Sequence, residues 1–278
     1  MKKILTGIII ACMLGLLVTS APAVSAGDDT GVLVSHVDMA YSPDWGYWRG
    51  TVTGPLHGTI GFWEQPALIV GNTDYFAERF VITTSKGVLK GTDQGVYNLT
   101  TGDFWAHGMV TEATGHWAFA VGYTLFEWGT TTTPFVFPMI ATDMPLVLTP
   151  NQPTPAHDRE VAVTYGNMAF GEWGYWRGTV SGDMRGTQEI HELGGTVIGD
   201  RLYFLEVATI TTNKGVAQFV DRGVYNLTTG TFFAQGQVMQ ASGGWKFLLG
   251  YTSLGWGTTS NPNVLPITTV APTILVEG

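Results

Sequence analysis

Short runs rich in Val, Ile, Thr, Tyr, Phe and Trp recur along the chain between Gly- and Asn-bearing turns. This is the pattern of β-strands at sandwich or barrel spacing. After the first residues, no segment carries the period of an amphipathic helix. In the first half the pattern predicts strands at Val32 to Tyr41, Tyr47 to Thr53, Gly58 to Glu64, Tyr75 to Thr84, Val88 to Tyr97, Phe104 to Thr111, Trp117 to Phe126 and Pro145 to Leu148. Asn98-Leu99-Thr100-Thr101-Gly102 is the clearest hairpin turn, because Asn and Gly tolerate backbone conformations that other residues avoid. Alternation assigns faces, since side chains two apart share one. Trp117, Phe119, Val121 and Tyr123 are expected inward, as are Trp245, Phe247, Leu249 and Tyr251. Phe76, Glu78, Phe80 and Ile82 share another apolar face, on which the glutamate is the odd member.

The pattern occurs twice. Trp45-Gly46-Tyr47-Trp48-Arg49-Gly50-Thr51-Val52 returns 128 residues on, at Trp173 to Val180. The same offset returns Gly95 to Gly102 at Gly223 to Gly230, and Trp128-Gly129-Thr130 at Trp256 to Thr258. A period this long points to two complete domains, since solenoid repeats are far shorter. The expected plan is a leader at 1–26, a first unit at 31–149, a proline-rich linker at 150–158 and a second unit at 159–277. About eight strands per unit with short connections fit an antiparallel barrel, which leaves no open sheet edge. The expected fold class is all-β, two tandem homologous antiparallel β-barrels.

The leader changes the compartment. Lys2-Lys3 precede an apolar run from Ile4 to Val18, and Val24-Ser25-Ala26 offers small residues at a cleavage point. Cleavage after Ala26 and export are expected, to a secreted, cell-surface or periplasmic location. An uncleaved membrane anchor is the alternative. Cys12 is the only cysteine, so the mature chain has no disulfide, thiolate nucleophile or cysteine metal site. The formal charge is −9, and an acidic chain with no basic cluster argues against nucleic acid and anionic membranes as partners.

The rhythm from Phe80 to Tyr123 carries a family resemblance. Ile82-Thr83-Thr84, Lys86-Gly87-Val88, Gly95 to Phe104, Gly108, Val110, Gly115, Trp117 and Gly122-Tyr123 resemble the strand and glycine spacing of the allene oxide cyclase and dirigent barrels. The resemblance implies a small, eight-stranded, calycin-like barrel with a central cavity, often oligomeric, so a homo-oligomer is one expectation. The catalytic residues of those families have no matching motif here, and no catalytic residue is assigned.

Candidate chemistry is sparse. Arg49 and Glu78, with Arg177 and Glu206, are expected to face one interior and pair there, because a buried carboxylate needs a donor and arginine supplies two in parallel. Such a pair either anchors the polar end of a ligand or closes a barrel end. Asp93 and Asp221 precede glycines by two residues, which favours a turn role over acid–base work. Tyr47, Trp48, Trp117, Tyr123 and Trp128 either line a pocket or fill the core, and Tyr175, Trp245 and Tyr251 repeat three of them. The histidines lack metal-ligand spacing, so no metal and no cofactor are expected. Asn98 and Asn226 head glycosylation sequons. The expected function is non-enzymatic: binding of a small apolar or aromatic ligand, or surface interaction. The alternative is a cyclase- or isomerase-type enzyme using the Arg–Glu pair in a hydrophobic cavity.

Overall fold

The computed structural model describes residues 31–65, 67–155 and 160–277. The leader with its cleavage point, and the end of the linker, lie outside the described residues.

The first unit contains β1 (Leu33–Ser42), β2 (Tyr47–Thr53), β3 (Gly58–Glu64), β4 (Leu68–Val70), β5 (Thr73–Thr84), β6 (Gly87–Asn98), β7 (Asp103–Ala113), β8 (Thr124–Thr130) and β9 (Met139–Thr149). Every pairing is antiparallel. β1 closes on β9, with Leu33 opposite Leu148, and β3 pairs with β5, with Phe62 opposite Phe80. Eight strands thus form a closed barrel, and the short β4 adds to the edge of β5. The second unit repeats this with β10 (Val161–Phe170), β11 (Trp176–Gly182), β12 (Gly186–Ile198), β13 (Arg201–Thr212), β14 (Gly215–Asn226), β15 (Thr231–Ala241), β16 (Thr252–Thr258) and β17 (Ile267–Val276). β12 runs unbroken where the first unit divides into β3 and β4. The sequence has Pro66 where the second copy has Gly194, and a proline cannot donate to the ladder.

The strand expected from Trp117 is not a strand at that end. Gly115 to Ala120 forms a 3₁₀ turn, as does Gly243 to Leu248. Gly115 (φ 62°) and Gly122 (φ 86°) bracket the first turn in left-handed conformations that only glycine adopts cheaply. The chain therefore folds across the barrel end. Trp117 and Ala120, three apart, are buried, whereas Phe119 and Val121 are half exposed. Trp117 Nε1 donates to Thr84 Oγ1 (2.8 Å) and Trp245 Nε1 to Thr212 Oγ1 (2.7 Å). Each indole is a plug held by one hydrogen bond to the neighbouring hairpin.

Above the plug, the two interiors are filled by different routes. In the first barrel Phe80 lies opposite Gly91, and a Cβ on that glycine would collide with the Phe80 ring. In the second barrel the same cross-strand pair is Ala208 and Phe219. The ring has moved to the other strand, and the small residue has moved with it. Close packing in the interior requires that exchange.

The barrels also pack on each other through outward faces. Val34, Trp105, Phe126 and Val147 of the first meet Val163, Phe233, Leu254 and Ile274 of the second in one buried cluster. Trp105 contacts Phe233 (5.1 Å between ring centroids) and Tyr75 contacts Tyr203 (4.8 Å). Each residue thus meets its own repeat equivalent, the signature of an isologous, two-fold interface. His107 stacks on Phe233 at 4.2 Å. Burial, with Arg201 nearby, pushes its pKa down to about 4.

Candidate functional site

Inward parity places a layer of carboxyl groups between the packed core and the open end of each barrel. On β5, Phe76, Glu78 and Phe80 face inward. On β6, Leu89, Gly91, Asp93 and Gly95 do so. On β8, Leu125 and Glu127 do. Glu78 sits directly opposite Asp93 in the ladder. Glu127 reaches them over β7, where Ala106 and Gly108 project almost nothing. A Cβ at Gly108 would meet Asp93 Cβ at 2.5 Å, so glycine there makes room for the carboxyl. Glu78, Asp93 and Glu127 are 5 %, 4 % and 1 % exposed, and one oxygen from each lies within 4.8 Å of the others.

No lysine, arginine or histidine among the described residues compensates this group. Among the described residues, no backbone, hydroxyl or indole donor reaches either oxygen of Asp93 or Oε2 of Glu127. Burial raises all three pKa values well above the ordinary carboxylate range. For Glu78 the charges of Asp93 and Glu127 add to that, and a hydrogen bond with Asp93 also favours its protonated form. Carboxyls this close and this dry cannot all ionise. Burial and mutual repulsion therefore favour the protonated forms of the group.

The second barrel keeps half of this arrangement. Glu206 faces Asp221 across the same ladder position, both buried. Gly255 stands in place of Glu127, and Ser253 in place of Leu125. Ser253 Oγ donates to Asp221 Oδ1 at 2.5 Å. That bond partly offsets burial, and the Asp221 pKa rises to about 7. Burial, followed by the charges of Asp221 and Glu192, raises Glu206 well above its ordinary value.

Over each carboxyl layer lies a cavity at the open end. The first encloses about 170 Å³ beneath Tyr41, Trp48, Phe76, Tyr97 and Phe137, with Glu64, Asp74, Glu78 and Glu127 as its acidic lining. At the rim, Trp48 Nε1 donates to Glu64 Oε1 (3.3 Å). The second encloses about 240 Å³ beneath Phe170, Trp176, Phe204, Tyr225 and Ile267. Gly166, in its wall, stands where the first barrel has Val37.

The structure brings together few of the residues expected to share a site. Glu78 and Glu206 line the cavities. Arg49 and Arg177 do not face them: both are exposed, with their guanidinium groups 4.0 Å over the rings of Trp45 and Trp173. The interior Arg–Glu pair is therefore corrected. Trp48 and Trp176 take the inward position on β2 and β11, which turns their neighbours at 47, 49, 175 and 177 outward. Tyr47 stacks on Trp63 (5.0 Å) and Tyr175 on His191 (4.4 Å), outside the barrels. Trp117, Tyr123, Trp245 and Tyr251 belong to the plugged end, opposite the cavities. Trp128 faces the other barrel. Asp93 and Asp221 are mid-strand and buried, so the turn role is also corrected. Their signal was available in the run Leu89, Gly91, Asp93, Gly95, Tyr97, an inward face on which only the aspartate is charged. The carboxyl of Glu127 was missed outright. Asn98 and Asn226 cap their hairpins, each accepting from two threonine backbone N–H groups (2.9 and 3.1 Å; 2.9 and 2.8 Å).

No protein-family model, no curated protein and no solved structure matches the chain.

Proposed function

We propose that the protein is an exported tandem binder of small, largely apolar molecules, one in each barrel. The observation that carries this reading is the pair of equivalent one-ended cavities, each plugged below by a tryptophan, rimmed by aromatic rings and floored by carboxyls. A rigid apolar chamber with a few convergent polar groups is the usual form of a small-ligand site. Its size suits a single-ring compound, since a cavity of about 150 Å³ accepts benzene. Protonated carboxyls at the floor offer both a donor and an acceptor to a hydroxyl or carbonyl on such a ligand. Export rests on the leader pattern and on the cysteine-free mature chain. Kinship with the allene oxide cyclase and dirigent barrels is part of the same proposal, supported by the eight-stranded architecture and the glycine–aromatic rhythm.

The test is a titration of the purified mature protein with benzyl alcohol, read by the fluorescence of Trp48 and Trp176 and by calorimetry. Saturable binding at two sites is expected. Gly166→Val, which gives the second barrel the residue of the first, should weaken the second site about tenfold. It should leave the melting temperature unchanged or higher, because its nearest neighbour is the flexible end of Gln188. A protein that binds no benzyl alcohol, or a Gly166→Val variant with both sites unaltered, would overturn the reading.

A further inference from the structure

We propose that the first barrel selects an organic ammonium, a primary amine on a small apolar body, whereas the second takes neutral ligands. The inference rests on the cavity reading above and names the ligand class for one of the two sites. The two chambers share shape and differ in the number of carboxyls that line them. Four carboxyls line the first: Glu64, Asp74, Glu78 and Glu127, with Asp93 directly behind. In the second, Leu202 replaces Asp74 and Gly255 replaces Glu127, so only Glu192 and Glu206 remain in the lining. Neither lining contains a lysine, arginine or histidine.

Independent of the acid count, the first chamber holds carboxyl oxygens that no donor of a described residue reaches. Glu127 is 1 % exposed and its Oε2 has no hydrogen-bond partner, and the buried Oδ1 of Asp74 has none either. Buried acceptors left open in this way are costly and uncommon. An ammonium supplies three N–H donors. With N–H···O distances of about 2.8 Å and tetrahedral angles, its acceptors stand about 4.6 Å apart, matching the reach of the Glu78, Asp93 and Glu127 oxygens. The rim suits the same group, since rings such as Trp48, Tyr41 and Phe76 attract a cation over their faces. A bare divalent ion would occupy the floor alone and leave the apolar chamber above it unfilled.

The experiment compares benzylamine with benzyl alcohol, two probes of one shape, on the full mature protein by calorimetry. Benzylamine should bind one site at least about tenfold tighter than benzyl alcohol does. Glu127→Gln, which keeps the shape and replaces the ionisable carboxyl by a neutral amide, should abolish that preference. Asp74→Leu, at the half-buried rim, should reduce it and serves if Glu127→Gln does not fold. Equal affinity for the two probes, or variants that retain the preference, would overturn this inference and leave the cavity reading standing. Failure of both probes would overturn both. Stoichiometric binding of Mn²⁺ that Glu127→Gln removes, with no preference for the amine, would assign the cluster to a metal instead.

Discussion

Replacing Asp221 by Asn should make the protein more stable, and increasingly so as pH rises. The carboxyl is buried in the second barrel, faces Glu206 and accepts one hydrogen bond, from Ser253. It titrates near 7 when folded, against an ordinary value of 3.8. A carboxyl whose pKa is raised by folding binds more protons in the native state than in the unfolded one. Its contribution is complete below the unfolded value and is lost as pH rises through the folded value. Each pKa unit is worth about 1.4 kcal/mol. The native state therefore gives up about 4 kcal/mol by pH 8, of which about 2.5 kcal/mol is lost between pH 5 and pH 8. Asparagine keeps an acceptor for Ser253 and never ionises. Urea unfolding followed by tryptophan fluorescence at pH 5, 6, 7 and 8 should show the advantage of Asp221→Asn growing by about 2–3 kcal/mol across the series. Glu206 steepens the fall with pH in the parent, because its carboxyl is raised by burial and by the charge of Asp221. Parallel stability curves for parent and variant over this range would refute the reasoning, since they would mean that Asp221 is ionised throughout in the folded protein as it is in the unfolded one.

Three further outcomes follow from packing. Phe80→Ala should cost about 3–5 kcal/mol by leaving a hole, and adding Gly91→Phe should restore only part of it: Ala208 and Phe219 realise that exchange, but a Cβ at Gly91 also collides with the Met109 carbonyl oxygen, so the strand must shift; a chemical-denaturation double-mutant cycle measures the coupling. Arg49→Ala should cost less than about 1 kcal/mol, since an exposed guanidinium stacked on Trp45 contributes no more than that, and its effect should add to that of Glu78→Gln in the same assay. Trp117→Phe should cost about 1 kcal/mol through the lost bond to Thr84, and Trp117→Ala about 3–5 kcal/mol by opening the plugged end, both read as shifts in thermal midpoint.

The strands were legible in the sequence because period-two alternation and glycine turns are local signals. β2 and β3 have the expected ends, and β5 to β7 begin or end within a few residues of them. The repeat of Trp45 to Val52 at Trp173 likewise announced two like units before any fold was known. Parity along β5 placed Glu78 inside, and the same reasoning applied to Trp48 would have placed Arg49 outside. Other features depend on contacts that no local pattern records. The spacing of Trp117, Phe119 and Val121 reads as a strand until left-handed glycines on both sides turn it across the barrel end. Glu78 and Glu127 lie on β5 and β8, and they meet only because the closed barrel curves its wall around a common interior and because Ala106 and Gly108 leave the space between them open. The contact of Trp105 with Phe233 exists only because two outward apolar faces, each unable to satisfy itself within its own barrel, are buried against each other.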